Sequence, residues 1–293
     1  MGAHRSGRAE MPDFMPETAR RIDRIDTTPR FTAADVARLN ARFEGVDTET
    51  MLREVIGEKL LGELAVVSSF GTESAVLLDL VARADPATPV LFLETGKMFD
   101  ETLAYRDTLV TRLGLTAVRN ITPDPEDIAE KDATGLRWSY DPDGCCEIRK
   151  VLPLARAMRR FDSSITGRKA FQASTRSAIP RFELDGDRIK FNPLANWTKT
   201  DLESWFEQRD LPRHPLEAKG YPSIGCAPCT SIVKPGEDPR AGRWRGWDKT
   251  ECGIHGEPLT NPGDEPVFSI SIVIPAEAGI SGGRDGLERW LRS

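Results

Sequence analysis

The hydrophobic pattern begins near residue 32. Val36, Leu39 and Phe43 share one helical face, and Thr32 stands where a helix cap belongs. A second helix is expected from about Asp47 to Leu61, carrying Met51, Leu52, Val55, Ile56 and Leu60. The period then changes. Leu64–Ser69 and Val90–Leu93 are short apolar runs that read as buried strands, and Thr116–Asn120 and Ser163–Thr166 read as two more. Between them, Ser74–Ala84, Asp100–Leu113 and Glu147–Arg160 read as helices. Strands separated by single helices favour parallel pairing with right-handed crossovers. The fold class is therefore α/β, a mostly parallel sheet flanked by helices. Phe182–Phe191 predicts a hairpin turning at Asp185-Gly186, and Thr200–Gln208 a short helix. Residues 211–256 read as loop.

In parallel sheets, ligands bind beyond the carboxyl ends of the strands. That directs attention to three loops, at 70–73, 94–99 and 167–176. Ser68, Ser69, Phe70, Gly71, Thr72, Glu73 and Ser74 join a strand to a helix, where free backbone N–H groups and the helix dipole favour an anion. The loop has no lysine of the GKS/T type, and an ordinary strand-to-helix turn is the simpler alternative.

Composition sharpens the picture. The 293 residues carry 39% hydrophobic and 29% charged residues, a globular balance with material for a sizeable core. No run is long enough for a membrane helix and no secretory signal is evident, so a cytoplasmic enzyme is expected. The net charge of -6 argues against bulk nucleic-acid binding. An anionic ligand then needs a local cluster of cations.

Five cysteines are an odd number for a disulfide scaffold. Cys145-Cys146 and Cys226-Ala-Pro-Cys229 suit zinc or an iron–sulfur cluster. Successive side chains diverge, which favours a cluster offering a separate iron to each thiolate. The fifth, Cys252, follows a basic segment containing Arg240, Arg243, Arg245 and Lys249, whose charges favour a thiolate. Lys150, four residues after Cys146, is expected on the same helical face.

The runs SSFGTESAVLL (68–78), LETGKMFDETLAYRD (93–107), CCEIRKVLPL (145–154), TGRKAFQASTR (166–176), YPSIGCAPCT (221–230) and ECGIH (251–255) make the chain resemble the assimilatory adenylyl-sulfate (APS) reductases, within the wider phosphoadenylyl-sulfate reductase family. The resemblance covers about residues 35–256. It implies an adenine-nucleotide α-hydrolase-like fold and one [4Fe-4S] cluster on Cys145, Cys146, Cys226 and Cys229. It also implies thioredoxin-dependent reduction of APS to sulfite and AMP, in sulfate assimilation and cysteine biosynthesis, through a Cys252 S-sulfonate. Lys150, Arg168, Arg243, Arg245 and His255 would meet the phosphosulfate, the 69–74 loop the nucleotide, and Glu94, Thr95 and Gly96 the adenosine. A homo-oligomer is expected.

Relatives usually carry Asp at position 94 and end soon after the Cys-Gly-x-His element. The expected organisation is a mobile arm (1–30), the nucleotide-binding domain (31–239), a mobile catalytic segment (240–256) and an atypical extension (257–293). Two other readings share some of these features. An ATP pyrophosphatase of the same fold would need a Ser-Gly-Gly-x-x-Ser loop, and a nucleotide-binding iron–sulfur sensor would not need Cys252.

Overall fold

The computed structural model describes residues 29–172 and 179–254. Two helices open the chain, α1 (Ala33–Arg42) and α2 (Thr48–Gly57). Thr32 caps α1 in a reciprocal box with Asp35, and Asp47 caps α2 by accepting from Thr50 N at 2.9 Å. Six strands follow: β1 (Leu64–Ser68), β2 (Val90–Leu93), β3 (Val118–Ile121), β4 (Ser163–Ile165), β5 (Phe182–Asp185) and β6 (Arg188–Phe191). They form one sheet in the order β3-β2-β1-β4-β6-β5, with only the β5–β6 hairpin antiparallel.

The period-two pleat sorts side chains onto the two faces of the sheet. Val66, Val90 and Phe92 face a large core shared with α2, α3 (Ser74–Ala84), α4 (Asp100–Leu113) and α8 (Lys199–Gln208). Their neighbours Ala65, Leu91 and Leu93 face the other way, onto Leu154 and Met158 of α7 (Leu152–Met158) and onto Phe161. The result is the three-layer α/β arrangement that the alternation of strands and helices predicts.

The order of the strands locates the site. From β1 the chain moves to β2 on one side, and later returns to β4 on the other. The loops leaving β1 and β4 therefore diverge, opening a crevice at the carboxyl edge of the sheet.

Two helical regions differ from the sequence expectation. Helix α5 (Pro125–Lys131) forms within the Pro-rich stretch. There Pro125 occupies the first turn, where no N–H is needed, and Asp124 caps. The expected single helix at 147–160 begins earlier, as α6 (Pro142–Cys146), and passes through a π-helical turn (Glu147–Val151) into α7. Pro153 gives the physical reason. It cannot donate to the Arg149 carbonyl, and a wider turn, with Leu152 N–H donating to Glu147 O, absorbs the lost bond.

Candidate active site

The loop after β1 is anchored from both sides. Phe70 adopts a left-handed φ of 49° and its ring packs edge-on against Phe92 at 5.3 Å, fully buried. Its side chain thus belongs to the core, not to the ligand cavity, and the backbone strain is offset by that burial. Phe70 N donates to Ser68 Oγ at 3.1 Å, and Thr72 Oγ1 donates to Pro222 O at 2.9 Å. Glu73 precedes α3 and makes no side-chain cap. Its carboxylate pairs with Lys169 Nζ at 2.8 Å. The first N–H groups of α3 therefore face the crevice without a side-chain acceptor from the cap position.

That crevice is a cavity of about 380 Å³. Ser68, Ser69, Gly71, Thr72, Glu73 and Ser74 border it, as do Lys150, Arg168, Arg243 and Cys252. Of the remaining expected residues, Glu94, Thr95 and Gly96 lie outside its lining. Glu94 accepts from Gly96 N at 2.9 Å, and Thr95 is buried with its hydroxyl 3.3 Å from Cys226 Sγ. Arg245 turns to solvent and pairs with Glu237 at 2.9 Å. His255 and the 257–293 extension lie outside the described residues.

Lys169 and Arg240 also border the cavity, although the sequence reading did not select them. Lys169 follows Arg168 at the carboxyl end of β4, a position the sheet argument points to. Arg240 carries no comparable signal, because an aperiodic segment does not show which of several arginines turns inward. Arg240 pairs with Glu251, next to Cys252, at 3.3 Å and donates to Thr250 O at 2.8 Å.

Arg168 pairs with Glu183, yet two of the cavity's cations keep an unmet donor. The Nε atoms of Arg168 and Arg243 are buried with no hydrogen-bond partner among the described residues. Such orphaned donors cost free energy until an acceptor arrives. Arg243 lies over the Trp244 ring at 4.5 Å and donates to Ile224 O at 3.1 Å. It occupies space left by the missing side chain of Gly225, where a Cβ would collide with the guanidinium. Burial lowers the Arg243 pKa from its ordinary value, against the opposing charge of Cys252. At Lys150, burial also works against the charge, but Cys226, Cys252 and Cys146 more than offset it, so its ammonium is held above the ordinary value.

A second, smaller cavity adjoins the first. Cys145, Cys146, Cys226 and Cys229 all border it, with Lys97, Trp138, Arg149, Lys150 and Trp244. Lys150 and Cys226 line both cavities. The π turn follows directly after Cys145-Cys146, and a 3-10 turn (Ala227–Cys229) carries the second pair. Ala227 N donates to Lys97 O at 2.8 Å, tying that turn to the loop after β2. Burial pushes the thiols of Cys145, Cys146 and Cys229 up to about 11, partly opposed by Arg149 at Cys145 and by Lys150 at the other two. Four thiols in one dry space ionise together only if a cationic group compensates them. Among the described residues no group of three Cys, His, Asp or Glu side chains is arranged to hold a single metal ion. The donor set suits a group with several separate attachment points better than one tetrahedral ion.

The fold and the cavity define an α/β protein with a cation-lined crevice at a sheet switch point, beside a cysteine. The chain belongs to the phosphoadenosine phosphosulfate reductase family, whose domain model matches residues 63–232. It is 48% identical over 236 residues to the adenosine 5'-phosphosulfate reductase of Mesorhizobium japonicum, covering 80% of this chain and 93% of that protein. It is 41% identical over 226 residues to the phosphoadenosine 5'-phosphosulfate reductase of Gloeobacter violaceus, covering 74% and 92%. The crystal structure of phosphoadenylyl-sulfate reductase from Candida auris, a phosphate complex, shares the fold with a TM-score of 0.58. That match has 23% identity and covers 69% of this chain and 98% of the other. The protein is accordingly an oxidoreductase acting on sulfur, with the adenine-nucleotide α-hydrolase-like fold that the sequence motifs imply.

Proposed function

We propose that this enzyme reduces adenylyl sulfate to sulfite and AMP in sulfate assimilation, with a cysteine S-sulfonate as intermediate. One observation carries the reading. Cys252 borders the same cavity as the loop after β1 and as Lys150, Arg168 and Arg243. The 69–74 loop and the N–H groups of α3 take the nucleotide phosphate. The cations take the sulfate oxygens and lower the repulsion felt by an incoming thiolate.

The Cys252 thiolate attacks the sulfur of the sulfuryl group. An S–S bond forms, the bond from that sulfur to the bridging oxygen breaks, and AMP leaves with the oxygen and the bonding pair. A thiolate of thioredoxin then attacks Cys252 Sγ. Sulfite departs with the electron pair of the S–S bond, leaving a mixed disulfide. The second thioredoxin thiol displaces Cys252, so the dithiol is oxidised, sulfur is reduced, and two protons are released.

The four cysteines of the second cavity would hold one [4Fe-4S] cluster. When bound, it supplies charge and rigidity beside the sulfate, because thiol exchange already delivers both electrons. Lys150 spans the two cavities and couples them.

Anaerobic incubation with APS or its 3'-phosphorylated analogue, followed by sulfite release and mass spectrometry, tests the reading. A sulfonate on Cys252 and faster sulfite release from APS are expected. No adduct on Cys252 from either nucleotide would overturn it.

A further inference from the structure

The least exposed ion pair among the described residues lies outside both cavities' walls on its acidic side. Asp132, just beyond α5, has a side chain with 0% exposure, and Arg149 in the π turn has 8%. Both Arg149 Nε, at 3.2 Å, and Nη2, at 2.6 Å, donate to one Asp132 oxygen. The other Asp132 oxygen accepts from Arg137 N at 2.8 Å. Asp132 is thus satisfied on both oxygens by two different segments. Its carboxyl is held below the ordinary value: burial works to raise it, and the bonds from Arg137 and Arg149 outweigh that.

Arg149 is a linking residue. Its backbone sits three and four residues past the adjacent cysteines, and the residue borders the cysteine cavity. Its Nη1 donates to Thr95 O at 2.8 Å, and the Thr95 hydroxyl lies against Cys226 Sγ. One side chain therefore joins the turn bearing Cys145-Cys146 to the loop touching the other pair. Arg137, held at its backbone by Asp132, extends the same frame. Its guanidinium pairs with Asp141, which caps α6 by accepting from Gly144 N at 2.9 Å. The guanidinium has two acceptors, the Thr95 carbonyl and the Asp132 carboxylate, and the carboxylate takes two of its N–H groups. What keeps it in one orientation, bridging the two pairs, is the Asp132 carboxylate.

We propose that Asp132, which lines neither cavity, is a positioning residue that locks Arg149 across the two cysteine pairs and so sets how firmly they retain their cluster. This rests on the cluster reading above. Replacing the carboxylate removes the charge-assisted bonds while Arg149 remains buried, so the guanidinium must find another partner. Of the two acceptors it has, only the Thr95 carbonyl is then left, and the two halves of the ligand set lose their common brace.

The test compares purified holoenzyme with Asp132→Asn and Asp132→Ala variants, measuring iron and acid-labile sulfide per chain and the rate of iron loss to an external chelator under anaerobic conditions. Asp132→Asn keeps the shape and one acceptor, which limits misfolding. Iron loss at least roughly tenfold faster than wild type is expected, with AMP affinity within about threefold. Asp79→Asn is the structural control. Asp79 is a buried carboxylate bonded to Trp205 and Arg209 on the α8 side, away from the cysteines. It should lower thermal stability without altering iron release. Equal iron release in the wild type and Asp132→Asn would overturn the proposal, as would an Asp79→Asn variant that releases iron as fast as Asp132→Asn. Wild-type protein that carries zinc, or no iron, would overturn the cluster reading itself and this proposal with it.

Discussion

At the residue scale, the proposed chemistry divides between one nucleophile and the charges that would admit an anion to it. Cys252→Ser removes the thiolate without disturbing the loop after β1. Sulfite release should fall at least ~1000-fold while AMP binding stays within about twofold, as measured by a sulfite assay and calorimetry. Full activity in that variant would sink the mechanism. Lys150→Ala removes the ammonium that borders both cavities. APS turnover should drop roughly 100-fold, with a smaller loss of AMP affinity, because AMP lacks the sulfate. Matching losses for the two nucleotides would instead mean that the π turn had collapsed. The spacings of the cysteines and of the Ser-Phe-Gly loop brought those residues into view, while the roles of Lys150, Arg168 and Arg243 came from the family resemblance. It took Arg245 and passed over Arg240, although Arg240 is the one that borders the cavity. Which arginine faces the cavity depends on the isolated bridge between Thr230 and Arg243 and on the Arg245–Glu237 pair, neither of which leaves a periodic trace.

At the element scale, α3, β2 and α4 occupy the spans the hydrophobic pattern predicts, since each is bounded by clear breakers and buries a full stripe. The pattern is silent where function bends the backbone. The π turn after Cys146 arises from Pro153 and leaves the apolar spacing almost unchanged. The 3-10 turn (Glu217–Lys219) is likewise invisible to periodicity, and it is fixed by a buried histidine. His214 Nε2 lies 3.1 Å from Thr102 Oγ1 of α4, and its Nδ1 accepts from Leu216 N at 3.2 Å. Burial lowers its pKa from 6.5 to about 4. The folded state therefore favours neutral imidazole. Between pH 6.5 and about 4 the unfolded chain binds a proton that the folded chain refuses, so the histidine's contribution is complete above pH 6.5 and is lost as pH falls through that window. The loss should approach ~3 kcal/mol. Urea midpoints for the wild type and His214→Gln, compared from pH 7.5 to 4.5, measure it. A constant difference between the two proteins across that range would refute it.

At the scale of the whole molecule, an acidic chain concentrates its cations where the loops from β1 and β4 part, and closes the crevice with a segment remote in sequence. Cys252 follows both cysteine pairs in the chain, and Lys150 and Cys226 line its cavity and theirs alike, so the proposed nucleophile and the proposed cluster share one scaffold. No helix among the described residues is long and apolar enough to cross a membrane. The described residues bordering the main cavity fall between Val67 and Ile254. Nothing in 257–293 supplies a cysteine or histidine, and the uncharged β-prone run VFSISIVI (267–274) has the composition of an aggregation-prone segment. Truncation after Gly256 keeps His255 and every described cavity residue. It should therefore retain the cluster, form the Cys252 S-sulfonate at the wild-type rate within about twofold, and raise the soluble yield. Mass spectrometry of the adduct and soluble yield after expression check both parts. A truncated protein that folds and keeps its iron, yet forms no S-sulfonate with APS, would show that the extension steadies the Cys252 segment.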